Sequence, residues 1–219
     1  MTKFYRNSKF NCLCGIRVGI CEAVDHPKKM EWRVGDYGDF LEGWALGKYH
    51  HRKGKWGQLV YDFKWHPRVG QQQDMERKEN SAQQVYDGMS YFWKNYIKGG
   101  LKPFNYVYAM PGSTGKHPSL AQALANKFAE EGITILPEFI KSNTNLLGSA
   151  KEINGFKSRA DYLEQKFIWN EKPIPKDAWG VLVLDDVYET GATLRRAAKI
   201  LKDAQYTGQI FFMVAAYKD

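Results

Sequence analysis

Cysteine is scarce in this chain, with three in 219 residues. So small and odd a number rules out a disulfide framework as the basis of the fold. No apolar run reaches the roughly 18–20 residues needed to cross a bilayer. No apolar stretch follows the basic residues of MTKFYRNSKFNCLCG either, so neither a membrane span nor a secretory leader is expected. Internal repeats and low-complexity tracts are also missing. What remains is the profile of a globular chain, 43% hydrophobic and 15% aromatic, long enough to bury a full core without metal or disulfides. A soluble, cytoplasmic protein is the expectation.

Negative charge is the minority: 24 Asp and Glu stand against 32 Lys and Arg, for a formal charge of +8. Such a balance suits a polyanionic partner, either nucleic acid or a phosphate-rich small molecule, and suits equally a basic protein that is merely soluble.

Residues 1–70 differ from the rest. They are rich in Gly, Trp, Tyr and His and hold short β-like pieces, Trp44–Tyr49 and Gln58–Phe63, separated by the cationic, turn-like Lys48–Trp56. They read as a β-rich N-terminal extension or hood, and residues 71–219 as an α/β core. Met75, Val85, Met89, Phe92, Trp93, Tyr96 and Ile97 give the 71–98 segment a helical stripe, which Gly99-Gly100 stops. Strands and helices then alternate. The expected strands are Tyr106–Met110, Ile133–Leu136, Lys166–Trp169, Val181–Leu184 and Ile210–Ala216, and the expected helices Pro118–Glu131 and Ala192–Leu201. A polar loop fills 141–159. Val181–Leu184 is apolar throughout, as a central parallel strand buried on both faces should be. The fold class is therefore α/β, an open parallel sheet flanked by helices.

Ligands of such sheets bind beyond the carboxyl ends of the strands. There the sequence VLVLDDVYETGAT places Asp185 and Asp186, then turns into a helix through Thr190, Gly191, Ala192 and Thr193. Unpaired N–H groups and the positive end of the helix dipole can hold a phosphate at that point. Gly191 permits close backbone approach, and the threonines add hydroxyl donors. Carboxylates beside a phosphate cradle call for a partner with hydroxyls or cations, and a ribose with Mg²⁺ nearby meets both demands.

This order of four apolar residues, two acids, two further residues and a Thr-Gly-x-Thr loop resembles the phosphoribosyl-pyrophosphate (PRPP) signature of the type I phosphoribosyltransferases. An acidic turn with a capping threonine would supply part of that pattern, but strand, acid pair, loop and helix all match. The resemblance covers about residues 100–217. It implies that Asp185 and Asp186 meet the ribose hydroxyls and, mostly through the ligand, Mg²⁺, and that Glu189–Thr193 wrap the 5′-phosphate. Glu189 stands where the hypoxanthine-guanine branch has an Asp that assists proton transfer at the purine. It is either a general base for a nucleobase or a solvent-facing glutamate. Tyr188 replaces the usual aliphatic residue.

Tyr106–Met110 followed by PGSTGK resembles the family's pyrophosphate loop, with Gly112, Ser113 and Lys116 as candidate contacts. The 141–159 loop falls where these enzymes carry a lid, with Lys141 and Arg159 as candidate cations over the leaving group, among Lys151 and Lys157. Within the family, KYHH and LVYDFKW, with Arg159 and Lys166-Phe167, resemble the ComF-type proteins linked to DNA uptake. Those proteins often begin with a Cys-x-x-Cys zinc module. Here Cys12, Cys14, Cys21 and His26 are spaced differently, and form either a Cys₃His zinc set or isolated thiols.

The expected activity is transfer of 5-phosphoribose from PRPP to a nitrogen acceptor, a purine by the lean of Glu189, with release of pyrophosphate. The alternative is a module that senses PRPP or a nucleotide and works on DNA or RNA, as a competence or antiphage component would. The Lys48–Trp56 segment fits such contacts, and fits a wet hairpin tip as well. Homodimers are common in the resembled family.

Overall fold

In the computed structural model, residues 28–33, 40–49, 54–65, 71–96, 104–112, 118–143, 146, 153 and 156–218 are described. The zinc candidates Cys12, Cys14, Cys21 and His26, the Gly99-Gly100 stop, Ser113 and Lys116 lie outside them.

The elements run β1 (Lys28–Arg33), β2 (Phe40–Lys48), α1 (Lys55–Lys64), α2 (Gln71–Tyr96), β3 (Tyr106–Ala109), α3 (Leu120–Glu130), β4 (Thr134–Ile135), β5 (Ile140–Ser142), α4 (Phe156–Lys166), β6 (Phe167–Trp169), β7 (Gly180–Tyr188), α5 (Ala192–Asp203) and β8 (Gln209–Tyr217). Six strands form one sheet in the order β1-β2-β8-β7-β3-β4, parallel except for β1, and β5 and β6 make a separate antiparallel pair. This is the expected α/β architecture.

Alternation along each strand sorts the side chains between two helical layers. Val181 and Val183 of β7, with Tyr106 and Tyr108 of β3, face α4 and α5. Leu182, Leu184 and Val107 face α1, α2 and α3. The helices bury stripes at i, i+3, i+4 and i+7: Ala82, Val85, Tyr86 and Met89 on α2, and Leu194, Ala197, Ala198 and Leu201 on α5.

One local reading is corrected. Gln58–Phe63, taken as a β-like piece, belongs to α1. Its run of Leu, Val, Tyr and Phe favours a strand locally. Trp56, Leu59, Val60 and Phe63, however, repeat at helical spacing and are buried together. Trp56 packs so closely on α2 that a Cβ at Gly88 would overlap its ring. This aromatic of the cationic Lys48–Trp56 segment is therefore core, not a free stacking surface for bases.

Within the first 70 residues, β1 and β2 are strands of the main sheet. β2 pairs in parallel with β8, from Glu42 opposite Phe211 to Lys48 opposite Tyr217. Gly43 of β2 lies directly under the Phe212 ring. Trp44 stands 4.9 Å from the Trp93 ring and 6.0 Å from Phe211. Residues 40–64 thus share one core with the segments that follow residue 71. The polar 141–159 stretch includes the end of β5 and the start of α4.

The chain reverses its direction across the sheet between β3 and β7. From β3 it moves through α3 to β4 at one edge, and from β7 through α5 to β8 toward the other edge. Helices α3 and α5 lie on opposite faces, as right-handed crossovers in opposite directions require. At such a switch point the loops diverge and leave a crevice at the carboxyl ends of the strands.

Candidate functional site

That crevice is present. It holds about 160 Å³ and is lined by Met110, Pro111 and Gly112 after β3, by Asp185–Tyr188 at the end of β7, by Glu189–Leu194 into α5, and by Tyr162, Leu163, Lys166 and Phe167 from α4 and β6. Lys64 and Ser119 complete the rim.

Strand β7 extends further than the apolar run alone implies, through Tyr188, so both acids are strand residues. Asp185 and Asp186 follow four wholly buried positions and are themselves half-buried. The Asp185 carboxylate accepts the Asp186 N–H at 2.8 Å. Asp186 forms an ion pair with Lys64, the last residue of α1. The Tyr49 phenol lies near enough to Asp186 that its pKa is raised, first by burial and then by that negative charge. The Lys218 ammonium sits 5.1 Å from the Tyr49 ring centroid.

The turn after β7 has the geometry of an anion cradle. Gly191 is the N-cap of α5 at φ 71°, a left-handed conformation that suits glycine, and it contributes no side-chain cap. The first turn of α5 contains no acidic residue. Ala192 N–H reaches the Thr190 hydroxyl at 3.4 Å, a long contact that an anion would readily replace. The start of the helix therefore presents its dipole and amides to the crevice. Tyr188 folds over this turn, with its ring edge 2.7 Å from where a Cβ on Gly191 would lie. Burial raises the Tyr188 phenol, and the nearby Arg195 partly offsets that rise. Glu189 is exposed on the rim.

The opposite wall holds Lys166, buried at 7% exposure. Its ammonium donates to the carbonyls of Leu146 at 2.7 Å and Asn143 at 3.2 Å, while Asn143 N–H donates back to the Lys166 carbonyl at 2.7 Å. Helix α5 fixes the end of α4 through the Arg196 guanidinium, which donates to the carbonyls of Phe167 at 2.8 Å and Glu164 at 3.0 Å. The Lys199 ammonium also donates to the Glu164 carboxylate, holding that carboxyl below its ordinary range.

The structure thus brings together Asp185, Asp186, Glu189, Thr190, Gly191, Ala192, Thr193 and Gly112. Lys141 is not in this group. It lies on β5, exposed and away from the crevice lining, because pairing of β5 with β6 turns it outward. Arg159 falls within α4, and its side chain is outside the described residues. Two cations escaped the sequence reading as site residues. Lys166 was visible only as part of a Lys-Phe pair. Lys64 was visible only inside LVYDFKW, because its place depends on where α1 ends relative to β7.

Among the described residues there is no group of three or more His, Cys, Asp or Glu side chains that could hold a metal ion. Asp185 and Asp186 supply two adjacent carboxylates, a set that fits an Mg²⁺ brought in with substrate phosphates. Among the described residues no helix is long and apolar enough to cross a membrane.

No family model matches the chain, and no curated protein matches it. Among solved structures, an adenine phosphoribosyltransferase is similar over 64% of this chain and 74% of its own, at 15% identity and a TM-score of 0.40.

Proposed function

We propose that the crevice binds a 5-phosphorylated ribose, with PRPP as the specific ligand, and that the protein is a phosphoribosyltransferase acting on a nitrogen acceptor. One observation carries this reading. At the switch point, a strand buried on both faces ends in two carboxylates and passes directly into a helix N-terminus opened by a left-handed glycine. The α5 amides and Thr190 and Thr193 would take the 5′-phosphate. Asp185 and Asp186 would accept hydrogen bonds from the ribose hydroxyls. Gly112, at the end of β3, would face the pyrophosphate by its backbone.

In the transfer, the bond from C1 to the pyrophosphate oxygen breaks, and the pyrophosphate leaves with the electron pair. The bond from C1 to the acceptor nitrogen forms, and that nitrogen gives up a proton. Glu189, a carboxylate on the open rim, would take that proton, which favours a nucleobase acceptor. Mg²⁺, when it accompanies PRPP, would neutralise the diphosphate and ease its departure.

One observation favours a binding or sensing role instead. Lys141 lies outside the crevice, and the buried cation of the α4 wall, Lys166, is committed to two backbone carbonyls. Neither of these two cations is then placed to meet a departing pyrophosphate, which a module that only binds PRPP does not require.

Calorimetric titration with PRPP and Mg²⁺, followed by pyrophosphate release across bases and nucleosides, separates the two roles. Binding with turnover supports the transferase, and binding alone supports the sensor. An Asp185→Asn, Asp186→Asn double variant that binds PRPP as well as the parent would overturn the site.

A further inference from the structure

The acidic pair already has a cation. Asp186 and Lys64 form an ion pair inside the crevice lining, with side chains only 20% and 27% exposed. Lys64 is delivered from the far side of the sheet by α1, and α1 is firmly seated. Trp56, Leu59, Val60 and Phe63 are buried in the same core as Leu182 and Leu184 of β7. The helix also ends at this level, where Trp65 leaves helical geometry at φ −125° and ψ 46°. The lysine therefore leans over the strand end from a fixed base.

The local charge gives this placement a purpose. Asp185, Asp186 and Glu189 together would repel a phosphorylated ligand unless a positive charge meets them. An ammonium on Asp186 cancels one of the two strand carboxylates at the point where a sugar would lie. Tyr49 also lies near Asp186, whose charge, after burial, raises the pKa of the phenol.

We infer that Lys64 is the built-in counter-charge of the acidic pair, a positioning residue that takes the place of a divalent cation, so that the ribose-phosphate part of the ligand binds without metal. This inference rests on the phosphoribosyl reading for its ligand but not for its charge balance, and the two can be tested apart.

Two measurements on the full chain decide it. The first is titration with ribose 5-phosphate, which lacks the diphosphate that carries Mg²⁺, in EDTA and then in excess Mg²⁺. Wild-type affinity should change less than about threefold between the two conditions, and Lys64→Met should bind about tenfold more weakly in EDTA, while Lys64→Arg keeps most of the affinity. The second is Mn²⁺ titration without any sugar, followed by the electron-spin resonance of the free ion. Lys64→Met should gain Mn²⁺ affinity at least severalfold over wild type, because its carboxylates are then uncovered. Adding Asp186→Asn to Lys64→Met should abolish the gain.

If wild type fails to bind ribose 5-phosphate but Lys64→Met gains Mn²⁺, the phosphoribosyl reading falls and the counter-charge role stands. Wild-type Mn²⁺ affinity equal to that of Lys64→Met overturns the role. So does ribose 5-phosphate binding that requires metal in wild type and ignores Lys64. Thermal unfolding of each variant guards against a folding defect being read as a binding one.

Discussion

The ammonium of Lys166 donates to the carbonyl of Leu146 across 2.7 Å, inside the wall of the crevice. A lysine at 7% exposure is sustained only when its charge is met, and here backbone oxygens meet it. The residue closes the end of α4 onto the chain that follows β5, so one wall of the crevice depends on a single buried cation. Lys166→Met keeps the length of the stem but leaves the Asn143 and Leu146 carbonyls without this donor. A loss of about 1–3 kcal/mol is expected in denaturant unfolding. Binding of a ribose phosphate should weaken in the same variant, because the wall loosens. Unchanged stability would mean that the ammonium does not hold the segment.

The phosphate cradle can be challenged at Gly191. Its φ of 71° is costly for any residue with a Cβ, and that atom would also press on the Tyr188 ring. Gly191→Ala should cost about 1–2 kcal/mol of stability and reduce affinity for phosphorylated ligands more than tenfold. Adding Tyr188→Leu should relieve the steric part and leave the backbone part. Full recovery in the double variant would show that the left-handed turn is not needed.

The apolar run Val181–Leu184 was legible because a strand buried on both faces has no polar alternation, and the two acids mark its end. The turn into α5 was legible because Gly191 and the threonines beside it mark a helix start. Residues gathered by long crossovers were not legible. Lys64 reaches Asp186 only because α1 packs on the same face as Leu182 and Leu184, which local spacing cannot announce. Lys141 was credited to the crevice as a cation in a polar stretch, and the structure places it on β5, outside the crevice lining. The helix α1 itself was hidden by β-favouring residue types, although its 56, 59, 60, 63 spacing was in view.

The joining of β2 to β8 makes residues 40–48 part of the main sheet, and Gly43 tests how firmly. No side chain fits between the β2 backbone and the Phe212 ring. Gly43→Ala should destabilise the whole protein by about 1–3 kcal/mol, as overpacking does. Phe212→Leu in the same chain should restore part of the loss. A variant that unfolds in two steps, with residues 71–219 unaffected, would argue for an independent N-terminal unit.

Alkaline pH offers a separate test of the packing between β3 and the β5 region. The Tyr108 phenol is buried, donates to the Ile140 carbonyl at 3.3 Å, and has its ring centroid 4.0 Å from that of Phe139. Burial pushes its pKa upward, with the negative charge of Glu138 a smaller contribution in the same direction and the Ile140 hydrogen bond an opposing one. Below the ordinary tyrosine value near 10, folded and unfolded chains both keep the proton, and stability does not depend on this group. Above it the unfolded chain releases the proton while the folded chain retains it, so stability falls as pH rises, by up to about 1.4 kcal/mol per pH unit for each such phenol. Tyr86 and Tyr206 are raised in the same direction, mainly by burial, and add to the slope. Tyr108→Phe should therefore be slightly less stable than wild type at pH 8, by about 1 kcal/mol for the lost hydrogen bond. The gap should narrow as pH climbs past 10. Urea unfolding at intervals from pH 8 to about 11 measures both, and parallel curves for the two proteins would mean that the phenol ionises as freely in the folded chain as in the unfolded one.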